Sequence, residues 1–341
     1  MELYSIDIFS GVGGLTEGMH QADFKTELAF EIDEIASKAY QLNHPDTSVI
    51  TKDIRSVSVA SIKRKLNGKK IHLLAGCPPC QGFSSIRRLN RMEAISDDRN
   101  SLIMEYIRFV KALKPLTIMM ENVPGLIHYN LFKEAIDILE NQLKYNIDYK
   151  VVNVKDYGVP QSRKRLVLVG SLLGKINVAK PTNDKKTVRD TIGKLTSPVQ
   201  SDDPLHKIFP FHTPAVQKRI DLTPKNGGSR KDLPEEYILE CHKGENIGFN
   251  DVYGRLRWDD YSTTITGGCL NPSKGRFLHP EQNRNISARE AALLQSFPPD
   301  YLFPTDAPRA SLALLIGNAL PPKFSYYQSL NIKNHLLEHL G

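Results

Sequence analysis

Two rhythms of apolar and polar positions alternate along the first half of the chain. The short β-rich apolar runs "LYSIDIF", "TELAFEI", "IHLLAG", "LTIMMEN" and "RLVLVG" predict successive strands. Between them, "GLTEGMHQA", "DEIASKAYQLN", "SLIMEYIRFVKAL" and "LFKEAIDILENQL" place apolar residues three and four apart, which is the helical period. A parallel sheet with crossover helices produces this alternation, so the pattern predicts an α/β fold with a doubly wound, mostly parallel sheet up to about Gly170.

Beyond that point the texture changes. From about Lys175 to Arg284 the chain holds Pro198, Pro204, Pro210, Pro214, Pro224 and Pro234 with little sustained periodicity, which predicts a second, smaller domain of irregular build. Helical periodicity returns in "SAREAALLQSF", "ASLALLIGNAL" and "KFSYYQSLNIKNHLLEHL", and this tail is expected to pack back on the first domain. The division expected is residues 1–174 with 300–341 for the cofactor-binding domain and 175–299 for the second.

Composition narrows the class. With 341 residues, 40% hydrophobic and 24% charged, the chain can bury a large core. Its net charge of +7 has the sign that phosphate backbones attract. No apolar stretch approaches the roughly 18 residues of a membrane span, and "MELYSIDIFSG" lacks a basic leader, so a cytoplasmic protein with no membrane partner is expected. Four cysteines are too few for a disulfide framework. Neither Cys241 nor Cys269 has a second ligand at metal spacing apart from His242, and His335 and His339 lack a third, so no metal is expected.

In doubly wound folds ligand chemistry sits at the carboxyl ends of the strands. The first strand ends in "DIFSGVGGLTEG", where Gly11, Gly13 and Gly14 permit a tight turn ahead of a helix, while Thr16 stands where a dinucleotide fingerprint wants its third glycine. Glu31 follows about 20 residues on, where an acid grips ribose hydroxyls, and Asp53 lies further along. A nucleoside-bearing cofactor fits better than one bearing a pyrophosphate. The next loop, "GCPPCQGFS", admits three readings: a redox dithiol, an inert buried pair, or a nucleophile working with Glu121 of "ENVPG". "QSRKR" then brings Arg163 and Arg165, on one face if the two-residue strand period holds.

Taken together, "DIFSGVGGLTEGM", "GCPPCQGFS", "ENVPG", "QSRKR", "REAALLQSFP" and "GNALPP" resemble the ordered motif series of the DNA cytosine-5 methyltransferases, across nearly the whole chain outside about Lys175 to Asp251. The resemblance implies S-adenosylmethionine as cofactor, S-adenosylhomocysteine as product, and a flipped-out cytosine in double-stranded DNA as substrate. It makes Cys80 the nucleophile toward C6, with Cys77 a packing residue, Glu121 the acid at N3, and Arg165 with Arg163 at the O2 side. For the cofactor it implies Phe9, Gly11, Gly13 and Gly14 at the methionine moiety and Glu31 at the ribose. Ile32, Asp53 and Ile54 fall at the adenine, Pro78 in the same pocket, and Asn318 at the carboxylate side. The variable middle segment becomes a target-recognition domain. Arg87 and Arg88 after the nucleophile, and Arg255, Arg257, Thr264 and Thr266 in the second domain, are the expected DNA contacts. The leading expectation is a monomeric sequence-specific DNA methyltransferase, either the modification half of a restriction system with a cognate endonuclease or a solitary relative without one. A tRNA cytosine-5 methyltransferase and a non-catalytic DNA-binding relative are the alternatives.

Overall fold

The inner apolar runs become strands because each is flanked by turn residues and has a helix to bury it. In the computed structural model, which describes residues 1–79, 102–240, 243 and 251–341, the chain forms two compact units. The first comprises Met1–Tyr157, Lys164–Asn183 and Leu320–Gly341; the second comprises Gly158–Arg163 and Asp184–Ala319.

Among the described residues of the first unit, seven strands make one sheet: β1 (Leu3–Ile8), β2 (Phe24–Glu31), β3 (Ser48–Thr51), β4 (Leu73–Gly76), β5 (Thr117–Asn122), β6 (Asn146–Asn153) and β7 (Lys164–Ser171). Their order is β3-β2-β1-β4-β5-β7-β6. The first five strands run parallel, whereas β7 is antiparallel to both β5 and β6. That reversal has a positional consequence: the start of β7 lies beside the end of β5, with Asn122 opposite Leu166.

One sheet face buries Ile6, Ile8, Phe30, Leu74, Ile118 and Met120 in a core shared with α4 (Leu102–Leu113), after α1 (Gly14–Gln21), α2 (Glu34–Asn43) and α3 (Val59–Leu66) in chain order. Tyr106 of α4 donates to the Met119 carbonyl, which satisfies its hydroxyl inside that core. A shorter helix, α5 (Asn130–Asp137), adds Phe132. In the second unit α6 (Val188–Ile192), α7 (Pro214–Leu222), α8 (Ala288–Leu294) and α9 (Arg309–Asn318) are joined by 3-10 turns and irregular chain.

The last helix, α10 (Pro322–Leu340), returns to the first unit and crosses α1. The crossing is tight because α1 offers Gly18, where a Cβ would overlap Ser325 and the backbone nitrogen of Tyr326. Ser325 donates to the Leu15 carbonyl at 2.6 Å across the same contact. Of the three C-terminal helical segments, α10 therefore packs on the sheet unit, and α8 and α9 belong to the second. Among the described residues no helix is long and apolar enough to cross a membrane.

Candidate active site

Parallel strands deliver their carboxyl ends to one edge of the sheet, and the described ones among the predicted residues of the first unit lie at or near that edge. After β1 the backbone turns at Phe9, which adopts a left-handed φ of 66°, followed by Gly11 at 54° and Gly13 at 92°. A non-glycine residue in that region is strained, as at many ligand-binding turns. The Gly11 amide donates to the Glu31 carboxylate at 2.8 Å, which ties the turn to the end of β2. The other Glu31 oxygen accepts from the amides of Ile32 and Asp33 at 2.8 and 2.9 Å. Three of a carboxylate's roughly four acceptor positions are thus filled, leaving one for a hydroxyl. Burial raises the Glu31 pKa.

The surroundings fit a nucleoside. Among the described residues nothing lies within 4 Å of where a Cβ on Gly11 would sit. Ile32 is 64% exposed, an unusual position for an aliphatic side chain beside a fixed acid, while Ile54 is buried. Asp53 is held by Arg55, whose Nη2 lies 2.6 Å from Oδ2, and that hydrogen bond lowers its pKa.

The chemistry lies two strands along. Because Gly76 pairs with Met120, the next residues, Cys77 and Glu121, emerge side by side from β4 and β5. Arg165 arrives from the antiparallel β7, and its Nε meets Glu121 Oε1 at 2.6 Å with both side chains largely buried. Removing either partner would strand a charge, at a cost of about 3–5 kcal/mol. Asn122 donates to the Pro78 carbonyl at 2.9 Å and its own Oδ1 accepts the Val123 amide, which fixes the entry to the cysteine loop. Burial, with Glu121 and Asp7 nearby, pushes the Cys77 thiol well above its ordinary range, so it stays protonated and donates to Glu121. Cys80, Arg87 and Arg88 lie outside the described residues.

Two residues that sequence reading passed over belong here. Asn122 stood inside the quoted "ENV". Asp7 was visible as an acid in an otherwise apolar run. Asp7 is fully buried at the end of β1 and accepts from Thr16 Oγ1 at 2.6 Å, while its second oxygen has no hydrogen-bond partner among the described residues. Burial raises its pKa to about 7.

The second unit sorts the remaining residues. Arg163 is buried, and its Nη1 donates to the carbonyls of Ile265 and Gly317 at 3.0 and 2.9 Å, so the expected pairing of Arg163 with Arg165 on one strand face does not form. The strand period cannot link them, because β7 begins only at Lys164. Arg255, expected at DNA, is fully buried. Its five N–H groups bind the carbonyls of Thr223, Ile220, His279 and Gln282 and the Asn283 side chain, so no donor remains for phosphate or base. Arg257 keeps an exposed side chain, 3.9 Å from Asp260. Thr264 donates to the Ser162 carbonyl at 2.9 Å, Thr266 accepts from the Gly268 amide at 3.3 Å, and Asn318 is exposed at the end of α9.

Comparison with known proteins identifies the family. The type II methylase M.HgiDII of Herpetosiphon aurantiacus is 37% identical over 97% of this chain and 95% of its own length. The type II methyltransferase M1.HphI of Haemophilus parahaemolyticus is 34% identical over 94% of the chain and 84% of its own. Among solved structures, one described as a DNA modification methyltransferase encoded within an E. coli prophage superposes with a TM-score of 0.77 at 26% identity, covering 98% of this chain and all of that one. The model of the C-5 cytosine-specific DNA methylases matches residues 3–334. With that model spanning nearly the whole chain and two relatives above 30% identity, the chain belongs to the C-5 cytosine-specific DNA methylases.

Proposed function

We propose that this DNA (cytosine-5) methyltransferase is the modification enzyme of a restriction-modification system. It moves a methyl group from S-adenosylmethionine to C5 of a cytosine flipped out of one short duplex sequence, through a covalent Cys80–C6 intermediate. The observation that carries the reading is the buried Glu121–Arg165 pair at 2.6 Å beside the anchored entry to the cysteine loop. When bound, the cofactor supplies an electrophilic methyl group on a sulfonium.

The chain's own residues do the rest. Cytosine C5 is a poor nucleophile, so the Cys80 thiolate adds to C6, forming a C–S bond while the ring π electrons move toward N3. Glu121 shares a proton with N3 as that charge develops, and Arg165 holds the carboxyl group in place while facing O2. After methylation of C5, loss of the C5 proton to a base or water re-forms the double bond and expels the Cys80 thiolate. Cys77, half-buried beside Glu121, is the poorer nucleophile, because desolvation and the neighbouring Glu121 raise its thiol pKa.

For the cofactor, Phe9, Gly11, Gly13 and Gly14 take the methionine moiety and Glu31 its ribose. Ile32, Ile54 and Asp53 flank the adenine, and Pro78 lines the pocket with Asn318 at the carboxylate side. Base extrusion costs a few kcal/mol, which contacts to the duplex offset. Arg87, Arg88, Arg257, Thr264 and Thr266 are the candidates for those contacts. The enzyme acts on its duplex as a monomer, with an endonuclease cutting the same unmodified site.

The deciding experiment is bisulfite sequencing of genomic DNA from a methylation-free host expressing the chain, beside Cys80→Ser. Methylated cytosines confined to one short motif, and absent in the variant, support reaction, nucleophile and target together. Unmethylated DNA from well-folded protein would refute the reading and turn attention to tRNA.

A further inference from the structure

The second unit holds a buried polar cluster that the reaction itself does not use. Gln161 and Gln295 are completely buried and Arg163 nearly so. Gln161 Nε2 donates to Gln295 Oε1 at 2.8 Å, and Gln161 Oε1 accepts the Ile265 amide at 2.9 Å. Gln295 Nε2 turns the other way, to the Ile316 carbonyl at 2.6 Å and more distantly to Gly317 and Ala319. Arg163 bridges the same two segments through the carbonyls of Ile265 and Gly317. The end of α9 needs such partners, because the last carbonyls of a helix have no donors within it.

What the cluster joins gives it meaning. Ile265 is buried between the partly exposed Thr264 and Thr266, and Gly317 immediately precedes the exposed Asn318. The two backbones touch: a Cβ on Gly317 would overlap the carbonyl carbon of Thr266 and the nitrogen of Gly267. A displacement at one segment is therefore felt at the other.

We infer that Gln161, Arg163 and Gln295 form a positioning clasp that holds Asn318 and the Thr264–Thr266 segment as one piece, so that cofactor affinity and DNA affinity depend on the same buried hydrogen bonds. The inference rests on the reading above that Asn318 meets the cofactor and the two threonines meet DNA. None of the three clasp residues needs to touch either ligand. Gln295 is the informative one, since it contacts only protein groups and comes from α8's C-terminal end, far along the chain from both segments it serves.

The test measures two dissociation constants separately: S-adenosylhomocysteine without DNA, by calorimetry, and a duplex carrying the methylated motif without cofactor, by fluorescence anisotropy. Gln295→Met, which keeps the shape and deletes the hydrogen bonds, is expected to raise both constants about tenfold, equivalent to roughly 1.4 kcal/mol each. Asn318→Ala raises only the first and Thr266→Ala only the second. Glu290→Gln, which breaks the buried Arg284 pair at the other end of α8, controls for lost stability and leaves both constants unchanged at a comparable fall in Tm. A Gln295→Met effect on one ligand alone, or no larger than that of Glu290→Gln, overturns the clasp while the contact readings stand. Silence of Asn318→Ala or Thr266→Ala removes the contact reading and the clasp with it.

Discussion

Asp7 makes stability depend on pH in a way that one substitution isolates. Its carboxyl is buried at the end of β1, with one oxygen bonded to Thr16 and the other without a hydrogen-bond partner among the described residues. In the unfolded chain it titrates near 3.8, and burial carries it to about 7 in the fold. At about 1.4 kcal/mol per tenfold change in proton affinity, that difference is worth about 4 kcal/mol. The folded state holds the proton more tightly, so the contribution is fully present below pH 3.8. It declines as the unfolded chain ionises and is lost once pH rises through about 7. Asp7→Asn keeps an oxygen to accept from Thr16 and abolishes the titration. Its effect on baseline stability is the same at every pH, so only the change in the difference counts. In urea denaturation of the ligand-free protein, followed by circular dichroism, the variant should gain about 4 kcal/mol on the wild type between pH 4 and pH 8. Groups common to both proteins cancel in that comparison. A difference that stays flat within about 1 kcal/mol would show that Asp7 is not held in a charge-rejecting site, and the argument from its burial would fail.

Three further outcomes follow from particular contacts. Gly18→Ala should destabilise the chain by about 1–3 kcal/mol in the same denaturation assay, because the added methyl overlaps Ser325 and the Tyr326 backbone where α1 crosses α10; an unchanged midpoint would mean that the crossing is loose. At pH 8, iodoacetamide should alkylate Cys80 and leave Cys77 unmodified in the folded protein, as read by peptide mass mapping, since burial and the Glu121 carboxylate hold the Cys77 proton. Cys77→Ser accordingly retains most methyl transfer. Duplex affinity should fall steeply between 50 and 200 mM salt, on the order of a hundredfold or more if several phosphates are contacted, and a flat response would count against duplex DNA as the partner.

How much of this was legible in the chain depended on whether a segment had a period. The five strands read from sequence are β1, β2, β4, β5 and β7, which are interior to the sheet and mostly buried on both faces. The two passed over, β3 and β6, are its two edges. β6 has only exposed and half-buried positions, and the one signal that marks it is the short alternation of Ile147, Tyr149 and Val151. Its absence from the reading also hid the reversal that brings β7 in antiparallel, and that reversal delivers Arg165 to Glu121. The residues of the first unit were legible for the same reason as its strands: a strand end is a defined place, and motifs at strand ends inherit it.

The second unit offers no such frame, and its arginines show why charge alone misleads there. Segments without ladder or helix partners leave backbone carbonyls that must find donors elsewhere once buried. Guanidinium groups supply up to five at once. Arg255 satisfies four carbonyls, Arg276 reaches those of Gly227, Gly228 and Arg255, and Arg284 pairs with Glu290 while donating to Asn285. The segment from Lys175 to Arg284 holds 18 Lys and Arg against 14 Asp and Glu, which in sequence resembles an electrostatic footprint for DNA. Part of that excess is instead the internal hydrogen bonding of an irregular domain. Basic residues that contact phosphate must be sought among those whose side chains stay at the surface, Arg257 first among the sequence candidates, and not among those most deeply embedded in the motif.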